Sequence, residues 1–217
     1  MFPIRDTRNS QKFPFINLAL IVTNIYVFFQ QLIVPDIELF IFKYALIPTK
    51  VDFASLETLT PFFTSMFLHA GFVHIISNMW FLWIFGDNVE SVMGHIKYLI
   101  FYLFAGVAAS FIQYIFIANT TLPMIGASGA IAGVLGAYLK YFPRNKIDTI
   151  IPVFGLPFFV AVPASFMLFY WFFVQAFNGV ASVITLSASV GGVAYLAHAG
   201  GFASGHLLSR YFVWQRV

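Results

Sequence analysis

Six apolar runs take up most of this chain: residues 15–34, 70–86, 98–118, 128–142, 164–178 and 194–213. A helix needs ~20 apolar residues to cross ~30 Å of hydrocarbon, and most of these runs approach that length. Charged residues make up only 9% of the 217 residues, where a soluble domain carries about 25%. A globular core of this size has no room for so much apolar surface. The expectation is an all-α integral membrane protein, one domain over 1–217, with six transmembrane helices and the lipid bilayer as its solvent. The first run follows Arg5, Arg8 and Lys12, is too long for a signal-peptide core and lacks a small-residue cleavage site, so it reads as a retained helix. The fourth and fifth runs are short and need shielding by neighbours. Pro152, Pro157 and Pro163 predict a loop or broken helix before the fifth span, which therefore starts after Pro163.

Six spans put both termini on one side. With that topology, Arg5, Arg8, Lys12, Lys97, Lys140, Arg144, Lys146, Arg210 and Arg216 share one face of the membrane, and only Lys43 and Lys50 lie on the other. The positive-inside rule then places both termini in the cytoplasm of a multi-pass cell-membrane protein, in its simplest form a bacterial inner membrane. The external connection 35–69 contains Ile37-Glu38-Leu39-Phe40-Ile41-Phe42, which suits an interfacial helix and an ordinary structured loop equally well. Cysteine is absent, which excludes disulfides and thiol chemistry. No His, Asp or Glu cluster has metal-ligand spacing, so no metal and no cofactor are expected. No basic block points to nucleic acid.

Polar side chains inside such runs are functional candidates. Ser128 opens the fourth run, in Gly126-Ala127-Ser128-Gly129, and His198 opens the sixth, before Gly200-Gly201. Ser128 lies twelve residues before Lys140 and His198 twelve before Arg210, each about 18 Å along a helix. His74 lies thirteen before Asp87, about 20 Å, and Asn78 is one turn from it on the same face. All three helices enter from outside, so these four side chains share one level. A serine needs a base to become a nucleophile, and His198 is placed to be one. His74, Asn78 and the Ser128 amide are placed to stabilise an oxyanion. No acid lies at that depth within a span, so the pair reads as a Ser–His dyad unless an acid of the 35–69 segment folds in. The glycines are equally at home in close helix packing, and each polar residue taken singly suits an interhelical hydrogen bond.

In combination these residues resemble the rhomboid family of intramembrane serine proteases. The resemblance rests on His69-Ala70-Gly71-Phe72-Val73-His74 with Asn78, then Glu90 and Gly94, then Gly126-Ala127-Ser128-Gly129, then Ala197-His198 with Gly201 and Gly205. It implies a six-helix core, Ser128 as nucleophile, His198 as general base, an oxyanion hole of His74, Asn78 and the Ser128 amide, and structural roles for Glu90, Gly126, Gly129, Gly201 and Gly205. It implies a serine endopeptidase that cuts transmembrane segments of other membrane proteins. The alternative is a catalytically inactive relative that binds membrane helices. Two features depart from the family pattern. Thr60-Pro61 stands where many relatives have Trp-Arg in the external loop, and Ala132 stands where many have an aromatic beside the histidine. With Ala132 in place, His198 lacks a stacking partner unless another residue fills the gap.

Overall fold

The computed structural model describes residues 1–8, 10, 12–184 and 194–213. The apolar runs are helical. In chain order the helices are α1 (Phe15–Ile33), α2 (Ile37–Tyr44), the short α3 (Leu56–Leu59) and α4 (Pro61–Thr64), α5 (Phe72–Met93), α6 (His95–Ile117), α7 (Ser128–Tyr141), α8 (Ala164–Ile184) and α9 (Tyr195–Leu208). Among the described residues, α1, α6 and α8 are long and apolar enough to cross a membrane. A fourth span is present if Leu56–Phe67 and α5, bent by 79° at their junction, form one broken crossing.

Helix α7 is the axis of the bundle. Every residue from Gly129 to Leu139 is buried. Helix α9 lies against it backbone to backbone, because glycines face carbonyls across the seam. A Cβ at Gly136 would stand 2.1 Å from the Phe202 carbonyl oxygen, one at Gly201 2.2 Å from that of Gly129, and one at Gly205 2.1 Å from that of Gly133. Small residues allow such an approach, and close van der Waals packing is what drives helix association in lipid.

The first turn of α1 has no side-chain cap of its own. Glu90 of α5 supplies one, accepting from the amides of Ile16 (3.0 Å) and Asn17 (2.7 Å). The same carboxylate meets His95 Nδ1 at 2.5 Å, so one buried acid ties α1, α5 and α6 together at the bend around Gly94 (φ +78°). This satisfies amides that a helix start otherwise leaves unpaired.

The expectation of an all-α fold needs correction. The chain also forms a three-stranded antiparallel sheet of β1 (Phe2–Asp6), β2 (Lys146–Val153) and β3 (Leu156–Pro163), in the order β1-β2-β3. The prolines at 152, 157 and 163 therefore mark neither a loop nor a broken helix. Phe154 (φ 50°) and Gly155 (φ 82°) both take positive φ, the signature of a two-residue type I′ hairpin turn. Pro152 pairs with Pro157, one step from the turn, where an antiparallel ladder exchanges no hydrogen bond and a missing N–H costs nothing. Asp6, at the end of β1, accepts from Asn88 Nδ2 (2.9 Å) and from the Tyr138 hydroxyl (2.5 Å), fastening the sheet to α5 and α7. Burial pushes the Asp6 carboxyl above its ordinary pKa, against the opposing pull of the Tyr138 hydroxyl, the Arg8 amide and the Arg8 charge.

The 35–69 connection contains α2, capped by the Asp36 carboxylate accepting from the Leu39 amide at 2.9 Å. Its C-terminal part docks on the bundle through buried Phe62 and Met66, and Thr64 Oγ1 donates to the Tyr44 carbonyl at 2.7 Å.

Candidate active site

Helices α7 and α9 each begin at the same place in the bundle, and that is where the serine and histidine meet. Ser128 is the first residue of α7 and His198 sits in the first turn of α9. His198 Nε2 lies 2.6 Å from Ser128 Oγ. The other ring nitrogen, Nδ1, lies 2.8 Å from Gln175 Oε1 on α8. An amide oxygen only accepts, so Nδ1 carries the proton and Nε2 presents a lone pair to the serine hydroxyl. The indole of Trp171, one turn before Gln175, stacks on the same imidazole with ring centroids 5.9 Å apart and planes 29° from parallel. Gln113 of α6 accepts from the Ala197 amide at 2.8 Å and so caps the start of α9 beside His198.

His74 and Asn78 come from the first two turns of α5. His74 Nδ1 accepts from the Ala70 amide at 3.3 Å, which leaves Nε2 as the donor. That edge of the ring faces Gly126, where a Cβ would fall 2.8 Å from His74 Cε1, 2.9 Å from Nε2 and 3.7 Å from Ser128 Oγ. Gly126 also takes φ +127°, so geometry and space both demand glycine there. Asn78 is buried, and its Nδ2 has no hydrogen-bond partner among the described residues. A buried donor left open, one turn along α5 from His74, can meet a developing negative charge. Gly129 and Gly201 lie in the α6–α7–α9 contact, where a Cβ at Gly129 would stand 2.7 Å from that of Ala109.

The remaining histidines serve the frame. Gln31 of α1 clamps the backbone of His69, donating to its carbonyl (3.1 Å) and accepting from its amide (2.9 Å), just before α5 begins. His95 pairs with Glu90, and His206 Nδ1 meets the Gly136 carbonyl at 3.1 Å. A small cavity of about 20 Å³ beside Ser128 is lined in part by Ser65 and Ser110. It is large enough for about one water molecule.

The Rhomboid domain family model matches residues 56–215, most of the chain. This chain belongs to the rhomboid family. It is 32% identical over 120 residues to presenilin-associated rhomboid-like protein A, mitochondrial, of Danio rerio, covering 54% of this chain and 30% of that protein. It is 37% identical over 82 residues to RHOMBOID-like protein 6, mitochondrial, of Arabidopsis thaliana, covering 38% and 26%. It is 41% identical over 83 residues to rhomboid protease GluP of Bacillus subtilis, covering 38% and 16%. The matched stretch is about a third or less of each relative's own length.

Within the rhomboid frame, the two departures from the family pattern find local answers. Thr60 and Pro61 open α4, with Thr60 Oγ1 donating to the Leu56 carbonyl at 2.9 Å. The loop is held instead by the Phe62 and Met66 side chains. A Cβ at Gly106 of α6 would stand 2.1 Å from Met66 Cε, so Met66 fills a notch cut for it. At Ala132 the side chain is fully buried, and the ring that covers His198 comes from Trp171 on α8. Trp171 and Gln175 were not singled out from the sequence. Their spacing of four residues on an apolar helix, placing an indole and an amide on one face, is the signal that marks them.

Proposed function

We propose that this rhomboid is an intramembrane serine endopeptidase. The observation that carries the reading is the relay Ser128 Oγ, His198 Nε2, His198 Nδ1 and Gln175 Oε1, closed at 2.6 and 2.8 Å across three helices. His198 Nε2 takes the Ser128 proton as Oγ attacks a substrate carbonyl. The resulting oxyanion is met by the His74 Nε2–H, the Asn78 Nδ2–H and the Ser128 amide. Collapse breaks the peptide bond, and the leaving amine takes its proton from His198. Water then attacks the acyl-serine by the same steps in reverse, with His198 again as base. Gln175 accepts from Nδ1 throughout and holds the tautomer, the part that a buried carboxylate plays in a Ser–His–Asp triad. The relay thus works as more than a dyad, with a neutral third member.

In this reading α1, α5, α6, α7, α8 and α9 make six crossings with both termini on the cytoplasmic side, following the Lys and Arg distribution. Residues 1–217 act as one unit. The membrane is a bacterial cytoplasmic one on that reading, although two of the relatives above carry a mitochondrial label in their names. The substrate is a transmembrane segment of another protein. Its scissile bond must leave the helix before Ser128 reaches it, because a continuous helix occupies its carbonyls. Segments with Gly, Pro or Ser near their outer end meet that need best.

The test is a fluorophosphonate probe on the purified protein in liposomes, together with a single-span protein substrate. Labelling at one site, lost in Ser128→Ala along with cleavage, is the expected result. A folded protein that binds membrane helices but neither labels nor cleaves would make it a binding protein instead.

A further inference from the structure

The sheet stands beside the bundle at a depth that hydrogen bonds define. Trp80 Nε1 of α5 donates to the Pro3 carbonyl at 2.8 Å, and Asn88 Nδ2 donates to Asp6 at 2.9 Å. Trp80 to Asn88 spans about 12 Å of helix and Pro3 to Asp6 about 10 Å of strand, so β1 runs alongside α5 in the same direction. Pro3 pairs with Thr149 of β2. Trp80 lies six residues below His74, which places Thr149 about 9 Å below that histidine. A second ruler agrees: Thr149 Oγ1 contacts Met167 Sδ at 3.8 Å, and Met167 is eight residues, about 12 Å, below Gln175 on α8. From Thr149, β2 climbs four more residues, about 13 Å, before the turn at Phe154-Gly155. The hairpin tip thus reaches roughly the level of Ser128. The sheet packs on α5 through β1 and on α8 through β2 and β3, so it stands between those helices.

No charged residue occurs from Thr149 to Pro163. Val153, Phe154, Leu156, Phe158, Phe159 and Val160 are exposed, which is the surface expected of a hairpin bathed in lipid. Among the described residues, strand β3 nevertheless has one strand neighbour, β2. The Thr7 amide donates to the Lys146 carbonyl, so Lys146 points toward β1 and alternate residues of β2 point toward β3. By that alternation Ile147, Thr149, Ile151 and Val153 exchange hydrogen bonds with Val162, Val160, Phe158 and Leu156. Pro157, Phe159, Ala161 and Pro163 turn their backbone groups away, to the free edge. The two prolines have no N–H to leave stranded and bound the edge at each end. Between them, Phe159 and Ala161 present an N–H and a C=O apiece. Open sheet edges do not persist against hydrocarbon without a partner.

We propose that this edge of β3 is a docking site for the unwound part of a transmembrane substrate, which adds there as a fourth strand. The proposal rests on the protease reading above and names what that reading leaves open. A substrate helix opened for cleavage has unpaired N–H and C=O groups at the same depth, and β3 offers the complementary set on a sheet that stands between α5 and α8. Backbone pairing makes the site tolerant of side-chain identity, with preference for apolar, β-forming residues on the membrane side of the cut.

The absence of cysteine makes a clean test possible. Phe159→Cys is introduced into the full chain carrying Ser128→Ala, in liposomes, with a single-span protein bearing one cysteine walked along the residues that follow the cut. Disulfides forming at every second substrate position are expected. A period of three to four, no disulfide at any position, or disulfides only between two copies of the chain would overturn the proposal. In the otherwise native chain, Ala161→Pro removes one edge donor without touching the β2 ladder, and Ala161→Val keeps it. Ala161→Pro should lower kcat/KM on the membrane substrate at least tenfold, mainly through KM, and leave fluorophosphonate labelling at Ser128 within about twofold. Ala161→Val should match the native chain. Native cleavage by Ala161→Pro would refute strand addition, whereas absent labelling in the native chain would refute the protease reading alone.

Discussion

The α7–α9 seam and helix α8 hold the candidate active site in opposite ways. Across the seam, backbone meets backbone, and glycines at 136, 201 and 205 leave no room for so much as a methyl group. Helix α8 contributes Trp171 and Gln175 inward but leaves Phe166, Phe169, Tyr170, Phe173 and Phe177 exposed. At Gly179, α8 approaches α9 closely, and a Cβ there would stand 2.7 Å from Leu196 Cδ2. On the protease reading, the serine and its base are thus carried by the close-packed pair, and the groups that orient the base by a helix held through side chains. That reading assigns assembly of the nucleophile and its tuning to different elements.

Substitutions separate these two modes. Gly136→Val drives a branched side chain into the Phe202 carbonyl, and overpacking of this kind costs about 3 kcal/mol or more. The expected result is loss of most folded protein in detergent, read by circular dichroism, while Phe173→Ala on the exposed face of α8 changes stability by less than ~0.5 kcal/mol. Equal tolerance at both positions would erase the contrast. Ala132→Tyr comes next. From the sequence an aromatic there looks harmless or helpful; in the structure Ala132 is fully buried and Trp171 already covers His198. Destabilisation of about 1–3 kcal/mol and a severe fall in turnover are expected, measured by unfolding and by substrate cleavage. Unchanged activity would mean the core opens there.

Gln175→Ala tests α8 itself. A hydrogen bond to a group that becomes charged is worth about 1.5–3 kcal/mol, so kcat should fall roughly 10–100-fold with stability nearly unchanged. Gln175→Glu retains an acceptor and should keep most of the rate. Equal kcat in Gln175→Ala and the native chain would remove Gln175 from the relay. The smallest effect belongs to Trp171→Ala, where a lost ring contact of ~0.5–1.5 kcal/mol predicts a fall of roughly 2–10-fold. A larger drop accompanied by weakened labelling at Ser128 would show that Trp171 also supports the seam.

The main helices were legible because each carries its own signal, an apolar run, and residue counting along those runs sets Ser128, His198, His74 and Asn78 at one level. What stayed hidden depended on partners distant in sequence. The hairpin was masked by its prolines, which break helices anywhere but sit harmlessly in a strand when they face away from the ladder. Its turn is Phe-Gly, without the Asn-Gly or Asp-Gly that usually announces one. Gln175 escaped because a search for the third member of a triad looks for acids, and a neutral amide inside an apolar run draws no attention. Glu90 was visible as a polar residue in α5, but its role as the cap of α1, seventy-odd residues earlier, exists only in three dimensions.

Helix α7 is shorter than the helices that enclose it, and on the protease reading this decides how water reaches the serine. Its fourteen residues rise about 21 Å, well short of a ~30 Å hydrocarbon core. Because α7 is buried among its neighbours, the shortfall falls inside the protein and not against lipid. In that reading it lies above Ser128, at the end where α7 begins, so hydrolytic water comes down between the longer helices α5, α6 and α8. Walls of protein do not move with the host bilayer, so lengthening its acyl chains should leave the ratio of deacylation to Ser128 labelling unchanged. A ratio that followed bilayer thickness would show that lipid reaches α7 after all.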